Sequence, residues 1–344
     1  MKTVRDFNVK NRRVLVRCDF NVPLDNKGNI LDDFRIKATI PSIEYLIKKG
    51  AKVILMSHLG RPTKNQKFSL IKVSKRLEKL SGRKIKFLND CIGKKVEKEI
   101  KKTKSGKIII LENLRFYKEE EKNDPKFAKE LSKLGDIYIN DAFGACHRAH
   151  ASIVGIPKYL PSGAGFLLEK EIKSLSNLIK NPKKPLIAII GGTKVETKIK
   201  LIDKISEIAN FVFIGDLLEK EMEGQNLKGK YPGKIIKPIE EATGQDIGSE
   251  TIEIFKEKIK KAKTIFWNGP LGKIEKKEFQ IGTVEIAKAI IKSKAFSIVG
   301  GGETAEFLNR IGLVNKFNHV STGGGAMLAF LSGEKLPGIE ALKK

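Results

Sequence analysis

The sequence predicts an α/β protein of two domains, each built on a parallel sheet, joined by a hinge helix. Three observations carry this reading. Short apolar runs alternate with amphipathic stretches along all 344 residues, which is the rhythm of βαβ units. That rhythm breaks at the Pro- and Gly-rich stretch Pro157 to Gly165 and restarts after a long helical pattern. Polar residues and glycines cluster just past the apolar runs, where open parallel sheets place their ligands. The chain is also longer than one core usually organises, so two cores are expected.

In the first half, Val14 to Val16 reads as a strand, Pro41 to Lys49 as a helix, and Val53 to Met56 as a strand. Leu70 to Leu80 reads as a helix, and Ile85 to Leu88 and Ile108 to Leu111 as strands, with the amphipathic run Lys94 to Lys102 between them. Lys126 to Leu134 is a helix ended by Gly135, and Asp136 to Asn140 is a strand leading into Asp141-Ala142-Phe143-Gly144. Phe166 to Ile179 is the connecting helix, stopped by Asn181-Pro182. Beyond it come the strand Leu186 to Ile190, a helix from Glu196 to Ala209, the strand Phe211 to Ile214, a helix from Glu250 to Lys260 and the strand Thr264 to Trp267. The last units are a helix from Thr283 to Ser293, the strand Phe296 to Val299, a helix from Thr304 to Arg310, the strand His319 to Ser321 and a helix from Ala326 to Leu331. The expected division is therefore an N-terminal domain over residues 1–156, a hinge and connecting helix over 157–180, and a C-terminal domain over 181–331. No short-period repeat appears, which excludes a solenoid.

Lysine and arginine total 67 against 40 acidic residues, a formal charge of +27, so anionic partners are favoured: nucleic acid, anionic membrane or phosphorylated metabolites. Much of the excess is lysine on amphipathic helices and reads as a solvated surface. With aromatics at 7% and no recognition motif, specific nucleic-acid binding is not expected. Cys18, Cys91 and Cys146 are an odd set without CxxC spacing, so a disulfide framework is not expected. No apolar run approaches the length of a membrane span, and the cytoplasm is the expected compartment.

The two halves carry different anion-handling chemistry. The first offers Arg17-Cys18-Asp19-Phe20-Asn21-Val22-Pro23, Arg35, Ser57-His58-Leu59-Gly60-Arg61-Pro62, Leu114-Arg115-Phe116 and Ala145-Cys146-His147-Arg148-Ala149-His150. Arginine grips carboxylate or phosphate with a planar fork. On extended backbone, Asp19 and Asn21 point to one side, where they could meet substrate hydroxyls, although the same residues with Pro23 would also make a turn. Ser57 to Pro62 would also serve as a helix-opening loop. The His147/His150 spacing suits two metal ligands, but with no third ligand evident it reads as phosphate or structural hydrogen bonding.

The second half offers Gly191-Gly192-Thr193-Lys194, Lys198, Asn268-Gly269-Pro270, Gly300-Gly301-Gly302-Glu303-Thr304 and Thr322-Gly323-Gly324-Gly325. Three of these join an apolar run to a helix, the setting in which glycines let main-chain N–H groups approach a phosphate. None is a Walker A sequence. Lys198 lies one helical turn after Lys194, so both ammonium groups can face one anion. Glu303 beside a phosphate loop could hold Mg²⁺ directly or through water, or could simply be an acidic residue at a helix N-terminus. Two anion sites on two domains point to phosphoryl transfer.

These motifs, in this order, resemble phosphoglycerate kinase from near residue 12 to Leu336-Pro337-Gly338. The resemblance implies two Rossmann-like domains, with the C-terminal tail, about residues 332–344, packing back on the first. It implies 3-phosphoglycerate held by Asp19, Asn21, Arg35, His58, Arg61, Arg115 and Arg148. It implies MgATP or MgADP near Gly191, Gly192, Lys194, Lys198, Asn268, Gly300, Gly301, Gly302, Glu303, Thr304, Gly323 and Gly324, with Glu275 for the ribose. Arg35, Lys198 and main-chain N–H groups at Gly301 and Gly324 would be the catalytic clamp, Glu303 would meet the Mg²⁺, and hinge closure would join the halves of a monomer. This chain departs from the family pattern in having Glu303 where Asp is common. It also has Gly215-Asp216-Leu217-Leu218 where a glycine run is usual, and a shortened interval from there to Trp267. A dinucleotide-dependent dehydrogenase is the rival enzyme class, but no GxGxxG with an acidic residue about 20 positions on is present.

Overall fold

The computed structural model describes residues 1–62, 66–193, 195–240 and 243–343. Its contacts divide the chain into two compact units, Met1–Glu171 with Lys335–Lys344, and Ile172–Glu334.

The first unit is a parallel six-stranded sheet in the order β3-β4-β2-β1-β5-β6. Its elements are β1 (Arg13–Cys18), α1 (Phe34–Lys48), β2 (Lys52–Met56), α2 (Ile71–Ser81), β3 (Ile85–Phe87), α3 (Lys94–Lys101), β4 (Ile108–Ile110), α4 (Lys118–Glu121), α5 (Pro125–Ser132), β5 (Ile137–Asp141) and β6 (Ser162–Ala164). The strands are apolar because both faces are covered: Val14, Val16, Val53, Leu55, Ile110 and Ile139 are all fully buried. In the central strand, Val14 pairs in register with Val53 on one side and Ile137 on the other. The C-terminal ends of β1, β2 and β5 therefore lie together, and Asp19, Ser57-His58 and Ala142 leave the sheet from one edge.

The second unit repeats the plan with the order β12-β11-β10-β7-β8-β9. After α6 (Phe166–Lys180), in which the division between units falls, come β7 (Leu186–Ile190), α7 (Val195–Ile208), β8 (Phe211–Ile214), α8 (Asp216–Gly224), β9 (Ile235–Ile236), α9 (Ser249–Lys261), β10 (Thr264–Asn268), α10 (Ile281–Ser293), β11 (Phe296–Gly300), α11 (Gly302–Arg310), β12 (His319–Val320) and α12 (Gly325–Leu331). Thr264 pairs with Leu186 and with Phe296, which aligns the ends of β7, β10 and β11. A last helix, α13 (Pro337–Glu340), belongs to the first unit, where Gly338 donates its N–H to the Cys146 oxygen at 2.9 Å. No described helix is long and apolar enough to cross a membrane.

Several sequence expectations shift. Helix α1 starts at Phe34, not at Pro41, and runs through the proline. Strand β6 lies in the stretch read as connector. Its Ser-Gly-Ala sequence has no strand signal, and pairing with β5 and an Ala164 N–H bond to the Lys2 oxygen make it one. Helix α8 and the two-residue β9 lie between β8 and α9, where no element was expected.

Candidate active site

In the first unit the loops after β1, β2 and β4 are tied to one another by side chains. Ser57 Oγ accepts from the Phe20 N–H at 2.9 Å and donates to the Cys18 oxygen at 2.8 Å, fixing the β1 and β2 exits. Asn21 Oδ1 accepts from the Gly60 N–H at 2.8 Å. Asn113, fully buried, donates from Nδ2 to the Leu59 and Phe68 oxygens and accepts from the Arg115 N–H at 3.0 Å. A polar rim is thereby held on apolar strands.

The charged groups of this rim are mostly buried. Asp19 is 1% exposed and accepts from Arg35 at the first turn of α1. Arg115 donates from Nη1 to the Gly60 oxygen at 2.7 Å, while its Nη2 is buried with no hydrogen-bond partner. Its Nε lies 3.1 Å from Glu121 but is not aligned to donate. Burial, ahead of all else, lowers the Arg115 pKa to about 10. His58 is held well below the usual imidazole range by burial and by the nearby guanidiniums of Arg17, Arg115, Arg148 and Arg35. His150 falls to about 3, chiefly through burial. Arg148 Nε lies 3.2 Å from His147 Nε2. Arg61 is exposed and bonds no described residue. The structure thus brings Asp19, Asn21, Arg35, His58, Arg115 and Arg148 around the C-terminal edge of one sheet.

Sequence reasoning gave no role to the groups underneath. Arg17 is fully buried, with Nε 2.9 Å from Ser152 Oγ and Nη2 3.1 Å from His58 Nδ1. Ser152 in turn donates through Oγ and N to the buried carboxylate of Glu120, at 2.5 and 2.9 Å. Arg17 stood within a motif, but the partners Glu120 and Ser152 carry no sequence signal.

In the second unit the glycine loops serve partly in packing. Gly191 N–H donates to the Asn268 oxygen at 3.0 Å and Gly192 N–H to the Pro270 oxygen at 2.9 Å, so both amides are already bonded and do not point to an open phosphate cradle. A Cβ on Gly191 would overlap the Pro270 oxygen, and Gly269 packs as closely on Gly191. Lys198, on α7 and nearly buried, donates to Asn268, with Nζ 3.3 Å from its main-chain oxygen. Lys194 lies outside the described residues.

The Gly300 and Gly324 loops keep a different geometry. Gly300 closes β11, Gly301 has φ +95°, and Gly302 begins α11 in open space. Thr304 in that first turn is buried with its Oγ1 lacking any hydrogen-bond partner, and Glu303 beside it is exposed. Gly324 has φ +50° at the start of α12, and Gly323 N–H is used by Ser321 Oγ at 3.0 Å. Glu275 is exposed in the turn after β10. No cluster of three His, Cys, Asp or Glu side chains able to hold a metal occurs among the described residues.

A family model described as phosphoglycerate kinase matches residues 4–222 and 218–334. The chain belongs to the phosphoglycerate kinase family. The phosphoglycerate kinase of Borrelia garinii subsp. bavariensis is 45% identical over 392 aligned positions, covering 100% of both chains, and that of Dictyoglomus turgidum is 45% identical over 387, covering 99% and 98%. Among solved structures, phosphoglycerate kinase from Pyrococcus horikoshii superposes with a TM-score of 0.90 at 33% identity, over 100% of this chain and 98% of that one. The one from Coxiella burnetii gives 0.83 at 32%, over 99% and 98%. The two matched stretches of the phosphoglycerate kinase model meet at residues 218–222, inside α8.

Proposed function

We propose that the buried arginine and histidine rim of the first unit is the 3-phosphoglycerate site, and that the loops after β7, β10, β11 and β12 hold MgATP or MgADP. The family reaction is reversible transfer of the acyl phosphate of 1,3-bisphosphoglycerate to ADP, giving ATP and 3-phosphoglycerate. The observation that carries the acceptor site is Arg115, whose Nη2 is buried and unpartnered inside a basic cluster. A buried guanidinium with a free donor is costly unless an anion completes it.

In this reading Asp19 and Asn21 orient the hydroxyl side of the acceptor, and Arg61, Arg115, Arg148 and His58 hold its phosphate. Its carboxylate is already ionised, so no general base is required, and alignment with charge neutralisation must supply the rate. Arg35 faces the phosphoryl oxygens from the first unit; Lys198, Asn268 and N–H groups at Gly301 and Gly324 face them from the second. Gly191 shapes the loop by close packing and Gly192 by its left-handed backbone, Gly300, Gly302, Thr304 and Gly323 line the phosphates, and Glu275 takes the ribose. Because the two sites lie on separate units, transfer requires hinge closure, which also excludes water.

The donor set fits a Mg²⁺ carried by the nucleotide rather than caged by protein: one exposed carboxylate, Glu303, next to the unpartnered Thr304 hydroxyl. When bound there, the ion neutralises phosphate charge, and Glu303 would hold it directly or through water. The family reaction belongs to glycolysis and gluconeogenesis, and in this reading the enzyme works in the cytoplasm. Calorimetry tests the assignment: Arg148→Met should weaken 3-phosphoglycerate binding about tenfold or more and leave Mg-ADP binding unchanged, in line with one lost charged hydrogen bond. Unaltered 3-phosphoglycerate affinity would remove the acceptor from this rim.

A further inference from the structure

Beneath the acceptor rim lies a buried relay that ends on His58 and whose other three members have no role above. It runs from Glu120 through Ser152 and Arg17 to His58, and all four residues are at most 7% exposed. A guanidinium has five N–H donors and no acceptor, so whatever it hydrogen-bonds must accept. Arg17 Nη2 lies 3.1 Å from Nδ1 of His58. Nδ1 must therefore carry the lone pair, and in a neutral ring the proton must sit on Nε2. Arg17 cannot swing away to permit the other tautomer. Its Nε bonds Ser152 Oγ at 2.9 Å, its Nη1 bonds the Cys18 oxygen, and the Glu120 carboxyl that accepts from Ser152, raised by burial, is drawn back toward its charged form by the Arg17 guanidinium. Ser152 itself sits in a single π-type turn, Ala151–Gly155, against which α13 of the C-terminal tail packs.

We propose that Arg17 is a positioning residue that locks His58 as the Nε2–H tautomer, so that His58 gives the acceptor's phosphate a neutral, pre-aimed hydrogen-bond donor rather than a positive charge. This rests on the placing of 3-phosphoglycerate on the first unit. It divides the labour of the rim: the arginines supply charge, and the histidine supplies direction. A second cation at this place would have to be buried among Arg17, Arg115, Arg148 and Arg35, and the same guanidiniums that attract the substrate oppose it.

The test is nitrogen NMR on the full chain with labelled histidine at neutral pH, the His58 signals being assigned by their loss in His58→Gln. The expected wild-type pattern is a bare Nδ1 and a protonated Nε2. In Arg17→Met the pattern should shift toward a mixture of tautomers, with 3-phosphoglycerate binding about ten- to a hundredfold weaker and Mg-ADP binding unchanged. Because removing Arg17 alone leaves Glu120 as an unpaired buried charge, Arg17→Met/Glu120→Gln serves as the folded counterpart. His58→Gln, whose amide nitrogen falls near the place of Nε2, should keep more acceptor affinity than His58→Asn. A wild-type His58 protonated on Nδ1 or on both nitrogens, or an Nε2–H tautomer unchanged without Arg17, would overturn the proposal. Failure of the wild type to bind 3-phosphoglycerate while showing the Nε2–H pattern would instead overturn the acceptor-site reading.

Discussion

Arg35 donates from Nη1 to the Asp19 carboxylate, and the Asp19 side chain is 2% exposed while that of Arg35 is 24% exposed. The pair joins the first turn of α1 to the exit of β1, and the guanidinium's remaining donors bond no other described residue. The residue proposed to stabilise the phosphoryl group in flight is thus held by the residue proposed to orient the acceptor. Arg35→Ala should lower kcat by about 10² to 10³, the scale of a lost transition-state donor. It should also weaken 3-phosphoglycerate binding, since Asp19 is left buried and unpaired, and leave Mg-ADP affinity unchanged by calorimetry.

Lys198 and Asn268 form the corresponding pair of the second unit. Lys198→Ala should reduce kcat by a similar factor. Asn268→Ala removes the side-chain acceptor that places the ammonium and should give a smaller loss of kcat; steady-state kinetics on the two variants and the double variant would show strong non-additivity, as expected for residues acting as a unit.

Gly191→Ala should destabilise the second unit by about 1–3 kcal/mol, because the new methyl overlaps the Pro270 oxygen. Gly224→Ala, at the end of α8 with open space around it, should be neutral or slightly stabilising. Paired thermal melts of the two variants check this, and equal Tm values would show that the Gly191 loop is slack.

Asp141 ends β5 and accepts from the N–H groups of Leu167 and Leu168 at the start of α6, at 2.9 and 3.2 Å. Burial, the largest influence, raises its pKa from 3.8 to about 6. Between those values the folded state binds more protons than the unfolded one, so this group's contribution falls as pH rises, by about 3 kcal/mol in all, and is flat above pH 6. Asp141→Asn should therefore stabilise the protein above pH 6, with the advantage shrinking as pH falls toward 4. Denaturant melts across that range check it, and an advantage that grows on acidification would show that the native carboxylate is stabilised instead.

Much of this was legible in the sequence because the signals are local. Strand β7 lies where its five apolar residues put it, and the polar residues past β1, β2 and β10 mark the sheet edges of the proposed site. What was not legible depends on distant partners. Strand β6 exists through pairing with β5, and α1 continues through Pro41 because its face is buried at Ile36, Thr39 and Ile43. Gly191 and Gly192 read as a phosphate cradle in the sequence, yet Gly191 is pressed by Pro270 and Gly269, some 80 residues away in sequence and visible only once β7 and β10 pair, and Gly192 sits at φ +85°. Glu120 and Ser152 were missed for the same reason: each is an ordinary polar residue until the fold sets it beneath Arg17.

Single-turnover transfer from Mg-ATP to 3-phosphoglycerate, followed by rapid quench in the wild type, Arg35→Ala and Lys198→Ala, tests most directly the claim that one residue from each unit clamps the moving phosphoryl group. The wild type should form 1,3-bisphosphoglycerate and ADP, and each variant should slow the transfer step about 100-fold or more at saturating substrates. Transfer at the wild-type rate in either variant would contradict it.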